Sequence, residues 1–366
     1  MDSYMPVRVI SGKNCVTEKG ACVKAFGKKC LIVTGKASAL KSGALEDAIE
    51  LLESLDMEYS VFNNVEPNPE TRTCKEAGDM AREIGADFIF GIGGGSVLDA
   101  SKAIAIFACN EIENHADIYN RSVPAKHLPV VLIGTTAGTG SEVTGVSVLT
   151  NSDTGIKKSI SGADCYADIS FCDYKYSMTV SVDTRISTAL DAFCHATEAF
   201  VASGANDLSR TYSIKALSYL KDFIVTDKIS VEISERDSEL LYIASLYAGL
   251  AINIAGTCFP HTVGYYLTEN FDIPHGKACA VLLPEMLKRT KKYCPEKIEA
   301  ILDCMKTDFE ALVTSVGSLA DIDINVTEEQ IDQVALRWKD GVKNFDRTPG
   351  GFTYIDAAAV LKSVIC

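Results

Sequence analysis

The most constraining feature of this chain is an alternation confined to its first half. Short apolar runs of strand length trade places with stretches of helical spacing. Cys30–Gly35, Tyr59–Val65, Asp87–Gly95 and Leu128–Thr136 read as strands, and Leu40–Leu55, Thr71–Ile84 and Ser96–Ala108 as helices. Glu66-Pro67-Asn68-Pro69 must be a loop, because two prolines fit neither a helix interior nor a central strand. This alternation predicts a parallel sheet with helices packed on it. After about residue 180 the pattern changes. Thr184–Ser203, Asp207–Val225, Arg236–Ala255 and His275–Tyr293 read as helices, followed more weakly by Glu296–Ser315, Thr327–Val342 and Ile355–Ile365. Ser181 or Asp183 is placed to cap the first of them. The expected fold class is an α/β N-terminal domain over 1–180 and an all-α C-terminal domain over 181–366.

Charge narrows the function. The balance is 35 − 49 = −14, which argues against a nucleic-acid or anionic-membrane partner, since both need a basic footprint. Thirteen cysteines without a CxxC pair read as mostly buried, reduced thiols of a cytoplasmic protein rather than a disulfide scaffold. The N-terminal segment lacks the apolar core of a signal peptide, and no apolar run reaches 18 residues, so no membrane span is expected.

Two loops follow strands and carry small polar residues. Gly91-Ile92-Gly93-Gly94-Gly95-Ser96 joins a strand to a helix. Unpaired N–H groups and the positive end of a helix dipole attract phosphate there, and glycine lets the backbone approach it. A tight turn without ligand is the plainer reading. Asp99 and Lys102 in the following helix read as an exposed i, i+3 ion pair. Thr135-Thr136-Ala137-Gly138-Thr139-Gly140-Ser141-Glu142 offers hydroxyls without bulk. Two such loops on neighbouring strands make the kind of crevice that holds nucleotides in open α/β sheets, so the first domain is expected to bind a dinucleotide.

Of five histidines, His115, His127, His195, His261 and His275, the last three fall in the helical half. Asp191 and His195, four apart, share a helix face. His261 and His275 flank a loop containing Phe271-Asp272-Ile273-Pro274. One carboxylate with three imidazoles suits Fe²⁺ or Zn²⁺ and leaves a position for substrate, although any single histidine is more often structural. Cys194 is either a thiolate ligand or a small core residue. Glu198 is either a hydrogen-bond partner of a ligand or a surface charge.

Together these residues resemble the iron-containing (group III) alcohol dehydrogenase family. GGGSVLDASKA (Gly93–Ala103), TTAGTGSEVT (Thr135–Thr144), DAFCHATEAF (Asp191–Phe200), the His261 segment and PHGKACAVLLP (Pro274–Pro284) carry the resemblance. It implies a dehydroquinate-synthase-like fold, an all-α metal-binding domain and a homo-oligomer, dimer or larger. It implies that Asp191, His195, His261 and His275 are the metal ligands. Gly94, Gly95 and Ser96 match the pyrophosphate turn, and Asp99 a residue near the nicotinamide. Thr135, Thr136 and Thr139 match the loop around adenine and ribose. Lys158 matches a lysine on the nicotinamide ribose, with Lys157 as the alternative register.

Three departures matter. Tyr265 stands where many members have a relay histidine, and an ordinary phenol is a poor base at neutral pH. Gly35, followed by Lys36 and Ser38, replaces the aspartate of NAD-preferring members, which leans the expectation towards NADP(H) over NAD(H). Gly134 replaces a proline. The implied reaction is metal-assisted, NAD(P)H-linked reversible reduction of a small aldehyde to a primary alcohol, with hydride delivered by the nicotinamide. Thr144, Thr257, Cys258, Phe259 and Tyr265 are the pocket candidates. They suit a polar or anionic-tailed aldehyde such as lactaldehyde, 3-hydroxypropanal, sulfoacetaldehyde or phosphonoacetaldehyde. A glycerol-dehydrogenase-like or maleylacetate-reductase-like enzyme is the alternative, and a non-catalytic metal- or nucleotide-binding protein the remote one.

Overall fold

The computed structural model describes residues 3–226 and 228–365. Tyr4–Val180 form one compact unit, and the chain from Ser181 onward forms the other.

The first unit is built on a parallel sheet. Its strands are β1 (Arg8–Ser11), β2 (Lys29–Thr34), β3 (Glu58–Phe62), β4 (Phe88–Gly93), β5 (Val130–Gly134) and β8 (Ile169–Cys172), in the order β1-β8-β5-β4-β2-β3. Side chains of a strand alternate between faces, and the core divides accordingly. Leu31, Val33, Ile89, Val130 and Leu132 face one apolar cluster with α2 (Thr71–Glu83) and α3 (Gly95–Cys109). Cys30, Ile32, Phe90, Val131 and Ile133 face the other, with α1 (Ala44–Ser54). Burial on both faces is why these strands read as continuous apolar runs. The outlying hairpin β6 (Val146–Thr150) and β7 (Lys157–Ser161) is antiparallel. β1, β6, β7 and β8 went unread in the sequence, being four or five residues long with no strong apolar run in most. The helix expected over Leu40–Leu55 breaks at Gly43, where φ is 79°.

Helices fill the second unit. α4 (Val182–Val201), α5 (Asp207–Val225) and α6 (Glu235–Ala255) pack on one another, followed by α7 (Phe259–Phe271), α8 (His275–Ala280), α9 (Leu283–Tyr293), α10 (Pro295–Met305), α11 (Phe309–Ala320), α12 (Glu328–Ala335), α13 (Lys343–Arg347) and α14 (Tyr354–Ile365). Ser181 rather than Asp183 caps α4, accepting from the Thr184 N–H at 3.2 Å. α6 is long and apolar enough to cross a bilayer by composition. It nevertheless opens on a charged capping box, Ser234 with Asp237, and packs against α4 and α5 as a core helix.

Two corrections to the helix reading bear on the site. His275–Tyr293 is two helices, α8 and α9, with Pro284 accommodated in the first turn of α9. Phe259–Phe271, unread in the sequence, is helical, with Pro260 tolerated in its first turn. Likewise Glu296–Ser315 breaks into α10 and α11 at Lys306, which has φ 57°. No disulfide links the cysteines among the described residues, and most are buried.

Candidate functional site

α4 carries Asp191 and His195 one turn apart, α7 carries His261, and His275 opens α8. α8 meets α4 backbone to backbone. A Cβ on Gly276 would collide with the Ser187 carbonyl, so glycine is what lets His275 approach Asp191. The result is convergence on one oxygen. The Nε2 atoms of His261, His195 and His275 lie 3.4, 3.7 and 4.0 Å from Asp191 Oδ1. The His195 and His261 rings stack at 4.4 Å between centroids, and His261 and His275 meet edge to face at 5.4 Å.

The electrostatics single out this cluster. Burial alone would raise the Asp191 carboxyl, yet the neighbouring His195, His261 and His275 hold it well below the usual carboxylate range. Glu198 is wholly buried. Its Oε1 lies 2.6 Å from His261 Nδ1, and its Oε2 accepts from the Cys258 N–H at 2.7 Å. This assigns the ring proton to Nδ1 and turns the Nε2 lone pair towards Asp191, the usual support of a metal-bound imidazole. Asp191 Oδ1 and His261 Nε2 are buried without a hydrogen-bond partner. Buried polar atoms in native proteins are nearly always satisfied. A divalent cation would satisfy both at once, so the residues present fit one.

One side chain beside the cluster escaped the sequence reading. Cys279 stands with Asp191, His261 and His275, their ligand atoms all within 4.8 Å of one another. Its signal was its place four residues after His275 on one short helix. Cys194, the cysteine considered instead, is buried outside this cluster. Tyr265 stacks on His275 at 5.4 Å and 21°. Cys258 and Phe259 are wholly buried: Cys258 Sγ lies 3.6 Å from the Glu198 carbonyl, and Phe259 stacks on Phe352 at 4.1 Å. The hydroxyls of Thr257 and Thr262 both accept from the Asn344 amide, at 3.1 and 3.0 Å. His115 and His127 lie in the other unit; His115 bonds Thr71 Oγ1, and His127 its neighbour's carbonyl.

In the first unit the glycine turn opens α3, whose N-cap Gly94 brings no side-chain cap. A Cβ on Gly95 would strike Thr139, so this turn and the threonine loop lie directly against each other. Thr135 Oγ1 is buried without a hydrogen-bond partner, a polar atom facing the same need as Asp191. These features fit a dinucleotide phosphate. The exposed Asp99–Lys102 pair expected from sequence is wrong. Lys102 is wholly buried, and its ammonium donates to Ser141 Oγ, the Thr144 carbonyl and the Val146 carbonyl at 2.7–3.0 Å. Asp99 accepts from Ser141 Oγ at 2.5 Å and the Val148 N–H at 2.8 Å, and bolts α3 to the loop and hairpin. Lys158 lies over the Tyr119 ring, whereas Lys157 donates to Asn68, whose N–H reaches Ser96 of the glycine turn. Ser38 is exposed at the start of a four-residue helical turn. Lys36 follows Gly35 and pairs with Glu66 at 2.8 Å.

Two family descriptions cover most of the chain: "iron-containing alcohol dehydrogenase" matches residues 6–174, and "Fe-containing alcohol dehydrogenase family, C-terminal" matches 185–340. The chain belongs to the iron-containing alcohol dehydrogenase family. It is similar to a solved iron-containing alcohol dehydrogenase from Thermotoga maritima, with a TM-score of 0.91 and 30% identity over 100% of this chain and 99% of that one. It is 32% identical to the 1,3-propanediol dehydrogenase of Citrobacter freundii over 317 residues, 86% of this chain and 81% of the relative. A sulfoacetaldehyde reductase of Bifidobacterium kashiwanohense, solved in complex with NAD+, aligns at a TM-score of 0.87 and 26% identity over 99% of this chain and 98% of that one. As a member of the family, this chain is a nicotinamide-dependent alcohol dehydrogenase that interconverts aldehydes and alcohols with the help of a metal ion.

Proposed function

We propose that this enzyme reduces a short polar aldehyde to a primary alcohol, with Asp191, His195, His261 and His275 holding a divalent cation, iron by family. The carrying observation is the convergence of three imidazole Nε2 atoms within 4.0 Å of Asp191 Oδ1. When bound, such a cation polarises a carbonyl oxygen and stabilises the developing alkoxide.

The chain's own residues do the rest. Glu198 fixes the tautomer of His261. Gly94, Gly95, Ser96, Thr135, Thr136 and Thr139 bind the dinucleotide, with Lys157 the better placed of the two lysines for its ribose and Asp99 acting as a positioning residue. Tyr265 stacks on the His275 ring and orients it, and an ordinary phenol is a poor base at neutral pH. Thr257, Thr262 and Asn344, beside His261, supply polar groups for a hydroxylated substrate, which accords with a relative named for 1,3-propanediol. Lys36 is already engaged by Glu66, so the lean towards NADP(H) drawn from Lys36 weakens, and NAD(H) is the proposed cofactor. The cysteines among the described residues, unlinked and mostly buried, support a reducing, cytoplasmic setting.

The test is a panel of short aldehydes with NADH and NADPH on anaerobically Fe²⁺-loaded enzyme, beside His275→Ala. Turnover with 3-hydroxypropanal or lactaldehyde, lost together with metal content in the variant, is expected. Full metal occupancy and an unchanged rate in His275→Ala would overturn the ligand assignment.

A further inference from the structure

A guanidinium with no acid to answer it lies against the loop that leads into His261. Arg347, the last residue of α13, is half-buried and rests on Gly256. A Cβ on Gly256 would strike the guanidinium, and its φ of 73° favours glycine there. No carboxylate pairs with Arg347 among the described residues, whereas Arg236, Arg289 and Arg337 of the same unit have Glu239, Asp356 and Glu269. Its one acceptor is the neutral Asn344 Oδ1 at 3.1 Å, which leaves most of its five N–H donors open. Burial works against its charge, and the Cys258 thiol, the one group that opposes this, is itself held protonated by burial. Removing an unpaired cation from water is costly, and this chain has 49 acidic residues from which a partner could have come.

Hydrogen bonds tie Arg347 to the cation site. Asn344 donates its amide N–H groups to Thr257 and Thr262, one on each side of His261 in sequence. Thr348 accepts from the Phe259 N–H at 3.1 Å. Cys258 donates its N–H to Glu198, whose other oxygen holds His261 Nδ1. Residues 344–348 are therefore clamped to the segment 257–262 that carries a cation ligand. Building on the aldehyde reduction proposed above, we propose that Arg347 is a specificity-determining residue that binds an anionic tail on the substrate. The substrate class is a short aldehyde bearing a carboxylate, sulfonate or phosphonate, with hydroxyaldehydes the slower substrates. The planar guanidinium fork matches two oxygens of any of these groups.

The deciding experiment measures kcat and KM on Fe²⁺-loaded enzyme for succinic semialdehyde, sulfoacetaldehyde and phosphonoacetaldehyde beside 3-hydroxypropanal. At least one anionic aldehyde should exceed 3-hydroxypropanal in kcat/KM by about tenfold or more, and the three together identify the anion preferred. In Arg347→Met that ratio should fall about 10- to 100-fold, the scale of charge-assisted hydrogen bonds, chiefly through KM, and Arg347→Lys should restore part of it. A wild-type enzyme that shows no preference for an anionic tail overturns the role of Arg347 whether or not the variants fold, and leaves aldehyde reduction standing. An equal fall for anionic and neutral aldehydes in Arg347→Met also overturns it, since a purely structural arginine would act on both alike. Absence of turnover with every aldehyde overturns both readings.

Discussion

Each half of this enzyme sets a carboxylate beside a nitrogen base, and the two halves treat the pair in opposite ways. In the first unit every N–H of the Lys102 ammonium has an acceptor, and both Asp99 oxygens have donors. Burial pushes the Lys102 pKa down while Asp99 opposes it. In the second unit Asp191 Oδ1 and His261 Nε2 point at one another's neighbourhood without hydrogen bonds. A buried charge is tolerated when paired and hydrogen-bonded and is costly otherwise. The satisfied pair is therefore a rivet, and the unsatisfied one is kept for a ligand. The account of donors and acceptors separates the two cases.

The contrast breaks most visibly at His261. His261→Ala removes a donor and the partner of Glu198, so metal content should fall to background and turnover by about a thousandfold or more, since a bound cation supplies several kcal/mol of transition-state stabilisation. Elemental analysis beside steady-state rates checks this, and retained metal would move His261 out of the set. Lys102→Met should do the reverse, leaving metal content alone. Loss of one partner of a buried pair costs roughly 3–5 kcal/mol, so denaturant unfolding should weaken by about that much, and KM for the dinucleotide should rise. An unaltered midpoint would show that the rivet carries no load.

Smaller effects sharpen the picture. Glu198→Gln keeps the shape but weakens the grip on His261 Nδ1, and metal affinity should drop about tenfold, read by chelator competition. At the edge of the first unit, Glu66→Gln frees Lys36. The kcat/KM ratio of NADPH over NADH should then rise about two- to fivefold, the scale of an exposed ion pair. Lys36→Ala should lower that ratio. No change in either variant would place the pair away from the adenosine ribose.

Much of this was legible before any coordinates. The runs around Leu31, Phe90 and Leu132 mark buried strands because both sheet faces are covered, and the step from glycine turn to helix is local. Asp191 and His195 could be matched because i, i+4 spacing fixes a shared face. The helix around His261 was hidden by Pro260, which usually breaks helices but is harmless in a first turn. β8, four residues long, carries too little pattern to declare itself, although it sits between β1 and β5.

The sequence by itself determined the helices and strands with strong periodicity, the change of character near residue 180 and the chemistry available at each position, since all of these depend on neighbours along the chain. Only the tertiary structure decided that Lys102 is sealed inside, that Lys36 is answered by Glu66, and that Cys279 rather than Cys194 stands beside Asp191. Each of those facts is a distance between residues carried by different elements. Packing sets such distances, down to one glycine that lets two helix backbones touch, and no local pattern encodes them.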